Sequence, residues 1–150
     1  MFKHILLPTD GSQFSEHAVF RGVELARQTG ARVTGIYAAP EFHVLSYRIT
    51  ELGESREEFA RDVRVHAEKY LAFVRATASE AKVPCETLIE QCDQPYDAIC
   101  RAAKLHQCDL IVMASHGRRG LTGLILGSET QRVLAHTDVP VLVWRATSTP

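Results

Sequence analysis

Short aliphatic runs alternate with longer amphipathic stretches from one end of this 150-residue chain to the other, and that alternation restricts the possible folds more than any other property. Lys3 to Thr9 reads as a first strand. Ser12 to Thr29 reads as a helix with Phe14, Ala18, Gly22, Leu25 and Ala26 on one stripe and Gly30 just past its end. Ala31 to Ala38 gives a second strand. A long helix then opens on the capping box Ser55-x-x-Glu58, carries Phe59, Val63, His66, Ala67, Tyr70, Leu71 and Val74 at helical spacing, and stops at Val83-Pro84. Cys85 to Glu90 is a third strand, and Pro95, after Asp93-Gln94, begins a helix that runs to His106. Asp109 to Ala114 is the fourth strand. Ser128-x-x-Gln131 is a second capping-box signature, for a helix to His136, and Val139 to Trp144 is the last strand.

Strands joined by helical crossovers, several of them near-continuously aliphatic, predict a parallel sheet covered on both faces, so the fold class is α/β, open and doubly wound. A chain of this length is expected to form one domain, residues 1–150, and to bury about 68–70% of its unfolded surface. Within it, residues 39–54 read as a variable surface segment and 146–150 as a tail.

Composition removes several classes of function. With 45% hydrophobic residues, 23% charged residues and a net charge of -1, the chain has no polyelectrolyte field for nucleic acid or anionic lipid. Neither a nucleic-acid nor a membrane partner is expected. The start, Met1 to Pro8, holds only the aliphatic run Ile5-Leu6-Leu7 before the proline, too short for a signal-peptide core or a membrane span, and a cytoplasmic location is expected. Cys85, Cys92, Cys100 and Cys108 contain no C-x-x-C and match neither zinc spacing nor a disulfide scaffold, so they read as reduced and mostly structural. The histidines have no metal-ligand spacing; no metal is expected on direct protein ligands, and His4 and His66 read as structural.

Open parallel sheets bind ligands beyond the carboxyl ends of their strands, where the crossovers reverse direction. Two polar exits qualify: Pro8-Thr9-Asp10-Gly11-Ser12 after strand one, and Ala114 to Ser128 after strand four. In a 3-2-1-4-5 strand order they face each other. The second exit is rich in chemistry for anions. Gly117, Gly120, Gly123 and Gly127 permit positive φ and close backbone approach, Gly127-Ser128 opens a helix whose first amides are unpaired, and Arg118 and Arg119 supply bidentate donors. Ser128 has two open roles, phosphate donor or helix cap. No G-x-x-x-x-G-K-[ST] occurs, nor a G-x-G-x-x-G after the first strand, so the loop is neither a Walker NTPase nor a dinucleotide fingerprint.

These residues resemble the universal stress protein family, in its ATP-binding branch of bacterial single-domain type. Lys3 to Ser12 is similar to the family's opening strand, Ser115-His116-Gly117-Arg118-Arg119-Gly120 to its signature loop, and Val139 to Val143 to its closing strand. The branch's motif G-x2-G-x9-G-[ST] falls on Gly117, Gly127 and Ser128, with Ala114 in place of the first glycine. The resemblance implies a Rossmann-like sheet of order 3-2-1-4-5, similar to adenine nucleotide alpha hydrolases. It implies that Pro8, Thr9, Asp10, Ala38 and Met113 frame adenine and ribose, while Ala114, His116, Gly117, Arg118, Gly127, Ser128, Glu129 and Thr130 lie along the phosphates. It implies ATP, or AMP or ADP, as ligand, with Mg²⁺ carried by the nucleotide. Asp10 would serve the ligand or cap a helix; His116 would position the loop through a backbone hydrogen bond or polarise a phosphate.

The resemblance further implies homodimerisation through the last strand, with Val139, Val141 and Val143, and a regulatory, stress-response role with at most slow ATP hydrolysis. Alternatives are a nucleotide-free dimeric scaffold, toward which Ala114 leans, and a weak ATP hydrolase. An enzyme on a related fold would want a signature such as H-x-G-H, which is absent.

Overall fold

The computed structural model describes residues 1–41, 55–116 and 126–145. Strands β1 (His4–Pro8), β2 (Arg32–Ala39), β3 (Cys85–Gln91), β4 (Leu110–Ala114) and β5 (Val141–Trp144) form one sheet in the order β3-β2-β1-β4-β5, and every neighbouring pair is parallel. Helices α1 (Gln13–Thr29), α2 (Arg56–Glu80), α3 (Pro95–Leu105) and α4 (Ser128–His136) lie between them in sequence.

Strand side chains alternate between faces, and this sorts the core into two layers. Ile5 and Leu7 point with Val33 and Val112 to one face, where Val19 and Val23 of α1 and Val74 of α2 cover them. Leu6 points with Ile36, Ile111 and Met113 to the other, against Ile99, Ala102 and Ala103 of α3 and Val133 of α4. Central β1 is buried at every position, which is why Ile5, Leu6 and Leu7 follow one another without a polar residue between them.

Helix ends follow their local chemistry. Ser12 caps α1 and Gly30 closes it in the left-handed region at φ 71°. The Ser55–Glu58 capping box forms as expected at α2. Helix α2 stops at Glu80, short of Val83, because Lys82 takes φ 58°. On α1 the covering residues include Val19 and Val23, whereas Phe14 and Leu25 of the expected stripe are only half-buried. His66 is exposed, against expectation: it sits at the border of the α2 stripe and stacks on Tyr70 with ring centroids 6.0 Å apart. The strands shift by one or two residues from their expected limits. β5 starts only at Val141, because Val139 is held in a turn by the Thr137 hydroxyl at 3.0 Å and Pro140 has no N–H to give. Residues 42–54 and 146–150 lie outside the described residues.

The cysteines are free, with Cys92 and Cys108 buried; burial pushes the Cys108 thiol up to about 11, so it stays a protonated core group. Among the described residues no helix is long and apolar enough to cross a membrane.

At the amino ends of the central strands, Asp109 accepts the Lys3 and His4 amides at 2.8 and 3.0 Å and so ties β4 to β1. The buried His4 ring bonds through Nδ1 to the His106 carbonyl at 3.0 Å and through Nε2 to Thr34 Oγ1 at 2.7 Å. Burial, helped by the nearby Arg32 charge, pushes its pKa below the ordinary 6.5. The folded state therefore holds fewer protons than the unfolded one between the two values. This contribution to stability is complete above pH 6.5 and is lost as pH falls from there through the lowered folded-state value. Urea unfolding at stepped pH should show the advantage of wild type over His4→Gln shrinking as pH falls below neutral; an unchanged gap would remove the assignment.

Candidate functional site

The β1 exit is built by short-range hydroxyl chemistry. Thr9 extends the ladder with its amide on the Ile36 carbonyl at 2.9 Å, and the chain then turns at Gly11, φ 79°. The Gly11 amide donates to Thr9 Oγ1 at 3.2 Å, and the Ser12 amide to Asp10 Oδ1 at 2.9 Å, an Asx turn. Ser12 Oγ accepts from the Ser15 amide at 3.2 Å. Ser15 Oγ donates to the Ser12 carbonyl at 2.9 Å and lies 3.1 Å from Thr9 Oγ1. The cap of α1 is therefore Ser12, and the cap role considered for Asp10 falls away because its carboxylate folds over its own turn. Tyr70 of α2 closes the back of the turn, its ring standing where a Cβ on Gly11 would project.

At the β4 exit the backbone does most of the positioning. Ser115 donates its amide to the Trp144 carbonyl at 2.9 Å and accepts the Gly127 amide at 2.6 Å. Thr130 Oγ1 donates to the Ala114 carbonyl at 2.9 Å. The first turn of α4 is thus pinned to the last residues of β4. The N-cap is Gly127, φ −59° and ψ 152°, so this glycine is not in the left-handed region, and no side chain caps the helix. The capping box expected at Ser128 and Gln131 does not form: the Ser115 bond fixes the phase one residue earlier, Ser128 becomes the first helical residue, and Gln131 turns to the Leu126 carbonyl at 2.6 Å. With the Gln131 amide bonded back to Gly127, the amides of Ser128, Glu129 and Thr130 have no carbonyl within the helix to meet them.

Several expected site residues converge here. Pro8, Ala38 and Met113 stand on the same sheet face as Leu6, Ile36 and Ile111, by the two-residue alternation of their strands. Ala114 pairs with Trp144 in the sheet and, among the described residues, positive φ outside glycine occurs only at Lys82 and Gln107. His116 is buried; its Nδ1 meets Ser115 Oγ at 3.0 Å, a side-chain hydroxyl in place of the expected backbone partner. The Phe14 ring lies 6.2 Å away, and His116 Nε2 is buried with no hydrogen-bond partner among the described residues. Two residues differ from expectation in their side chains. Glu129 turns to α3, and Thr130 spends its hydroxyl on Ala114. Gly117 and Arg118, with Arg119, Gly120 and Gly123, lie outside the described residues.

Sequence reasoning missed Ser15, Tyr70 and Tyr96 as builders of these exits. Ser15 could have been found from its three-residue spacing to Ser12 on a helix start; Tyr70 read only as core, and Tyr96 contacts Glu129 across 33 positions, beyond any local signal.

An open parallel sheet with two polar exits meeting where its crossovers reverse defines a Rossmann-like α/β fold. The model of the universal stress protein family matches residues 1–145, and the chain belongs to that family. A universal stress protein of Thermus aquaticus is 35% identical over 149 residues, covering 97% of this chain and 100% of its own. The solved structure of MJ0577, a universal stress protein of Methanocaldococcus jannaschii, covers 99% of both chains with a TM-score of 0.82 at 24% identity. A universal stress protein in complex with cAMP (20% identity, TM-score 0.67, 97% and 98% covered) and one from Archaeoglobus fulgidus in complex with dAMP (17% identity, TM-score 0.67, 95% and 97% covered) share the fold.

Among the described residues two glycines, Gly11 and Gly30, are left-handed and make a controlled comparison. Gly11→Ala meets both an unfavourable φ and the Tyr70 ring, whereas Gly30→Ala has the same φ problem with nothing within 4 Å. Denaturant unfolding should give a loss of about 2–4 kcal/mol for Gly11→Ala and about 1–2 kcal/mol for Gly30→Ala. Equal losses would show that Tyr70 does not constrain the turn.

Proposed function

We propose that this universal stress protein binds an adenine nucleotide between the β1 exit and the start of α4, and acts as an ATP-responsive regulatory protein that hydrolyses slowly or not at all. The observation that carries this reading is the pairing of β1 with β4, Ile5 beside Leu110 and Leu6 beside Ile111, which sets the two polar exits side by side. The buried His116 Nε2, without a hydrogen-bond partner among the described residues, and the start of α4, whose N-cap is a glycine, support it, as do the relatives bound to cAMP and dAMP. In this reading Pro8, Thr9, Asp10, Ala38 and Met113 frame adenine and ribose. The backbone at Ala114, Gly117, Gly127, Ser128, Glu129 and Thr130, with Arg118 and His116, takes the phosphates, and Mg²⁺ arrives with the nucleotide. Slow turnover fits an Asp10 whose Oδ1 already accepts the Ser12 amide.

The reading extends to the assembly. We place the protein in the cytoplasm as one domain and as a homodimer, two copies pairing along β5, the last strand in the sheet order. Val141 packs on its own core with Val139, and Leu142 is 41% exposed, so pairing would use the strand backbone and Leu142 together with Val143.

Thermal unfolding with Mg-ATP tests the site. At a ligand concentration about 100 times Kd, binding stabilises by about 2.7 kcal/mol. Ser128→Glu should fold, since an acid suits the first turn of a helix, and should lose the shift because it repels phosphate. No stabilisation of wild type at millimolar nucleotide would reject the proposal. Phosphate release followed over hours, with Asp10→Ala as control, separates binding from turnover.

A further inference from the structure

Glu129 occupies the second position of α4, the helix that starts at the β4 exit, yet its carboxylate is fixed elsewhere. Oε2 accepts the Tyr96 amide at 2.9 Å, and Oε1 lies 3.3 Å from Arg132 Nη1. The Tyr96 amide is in the first turn of α3, where the N-cap Gln94 makes no side-chain cap bond, so Glu129 caps a neighbouring helix. Arg132 sits 5.8 Å over the Tyr96 ring, which packs on His136 at 4.8 Å. These partners fix the carboxylate on the residue that is itself second in α4, beside the first-turn amides that no helix carbonyl meets.

Two fields therefore act on any anion at that end. The first-turn amides of α4 attract a phosphate group by local contacts, and the buried His116 Nε2 adds to them in the tautomer that carries its proton there. A fixed carboxylate repels, and repulsion scales with the total charge of the ligand. We infer that Glu129 is a specificity-determining residue that biases the site toward the less charged adenine nucleotides, a monophosphate or cyclic monophosphate over a triphosphate. This rests on the nucleotide reading above. Arg132, paired with the carboxylate, offsets part of its field, so Glu129 and Arg132 should act with opposite signs. The charges of Arg118 and Arg119 are common to every variant and cancel when the ratio of one variant is compared with that of another.

The test is the ratio of AMP Kd to ATP Kd, measured by calorimetry on the intact protein at low and high salt with Mg²⁺ held constant. Glu129→Gln keeps an acceptor for the Tyr96 amide and removes the charge; the ratio should move toward ATP by roughly threefold or more. Arg132→Gln should move it toward AMP, and both shifts should shrink at high salt. Because each ratio is taken within one protein, a loss of stability affects both ligands alike. An unchanged ratio in Glu129→Gln, or the same direction of change in both variants, would overturn the inference while leaving nucleotide binding intact. If wild type binds neither nucleotide, the nucleotide reading fails and the inference fails with it.

Discussion

The parallel pairing of β1 with β4 is the constraint on which the rest of the molecule depends. The chain leaves β1 toward β2 and β3, then returns across the sheet to lay β4 on the other side of β1. Right-handed crossovers in the first direction put α1 and α2 on one face, and the same handedness after the reversal puts α3 and α4 on the other. No helix can then cover the seam at the carboxyl ends of β1 and β4 from both sides. A cleft follows from connectivity before any functional side chain is considered.

At that seam two helices begin beside each other and are finished differently. The start of α1 is built with its own hydroxyls: Ser12 caps it at the Ser15 amide, while Ser15 and Thr9 complete the turn around Asp10. The start of α4 has no side-chain cap, and the one amide used before its first turn, that of Gly127, is spent on binding the helix to β4. Both dipoles present their positive ends to the same edge of the sheet, and each start has first-turn amides without an intrahelical carbonyl: Gln13, Phe14 and Ser15 of α1, the last met by Ser12 Oγ, and Ser128, Glu129 and Thr130 of α4. The two exits therefore differ in chemistry, with hydroxyls and the Asp10 carboxylate at β1 and a helix start capped by a glycine at β4.

Much of the sheet was legible because its residues answer to one simple rule. Ile5, Leu6 and Leu7 are buried on both sides of β1, and the aliphatic run records that directly. The same holds for Leu110 to Met113. What escaped was set by contacts distant in sequence. Ser128-x-x-Gln131 satisfies a local capping pattern, yet the phase of the helix is decided by Ser115, whose carbonyl holds the Gly127 amide. Glu129 looked like a lining residue because it follows the serine of the motif, and only its distance of 33 positions from Tyr96 hid the partner that turns it away. His66 has helical spacing with Tyr70 but lies one step outside the buried stripe, where periodicity cannot separate edge from core.

Ala114 shows how a departure from a motif is judged on backbone terms. A glycine is needed where φ is positive or where an added methyl meets something that cannot move. Ala114 is a strand residue in register with Trp144 and is not in the positive-φ region. Its carbonyl is already engaged by Thr130, so the peptide is held whether or not a methyl is present. Alternation along β4 then fixes where the methyl goes. Val112, two residues earlier, packs with Val19 and Val23 of α1, so Ala114 faces that same side, while Met113 faces Leu6 and Ile36 on the other. The methyl stands on the α1 side of the sheet, away from the face shared by Pro8, Ala38 and Met113. The substitution leaves the first-turn amides of α4 untouched, since those are set by Gly127 and Ser115.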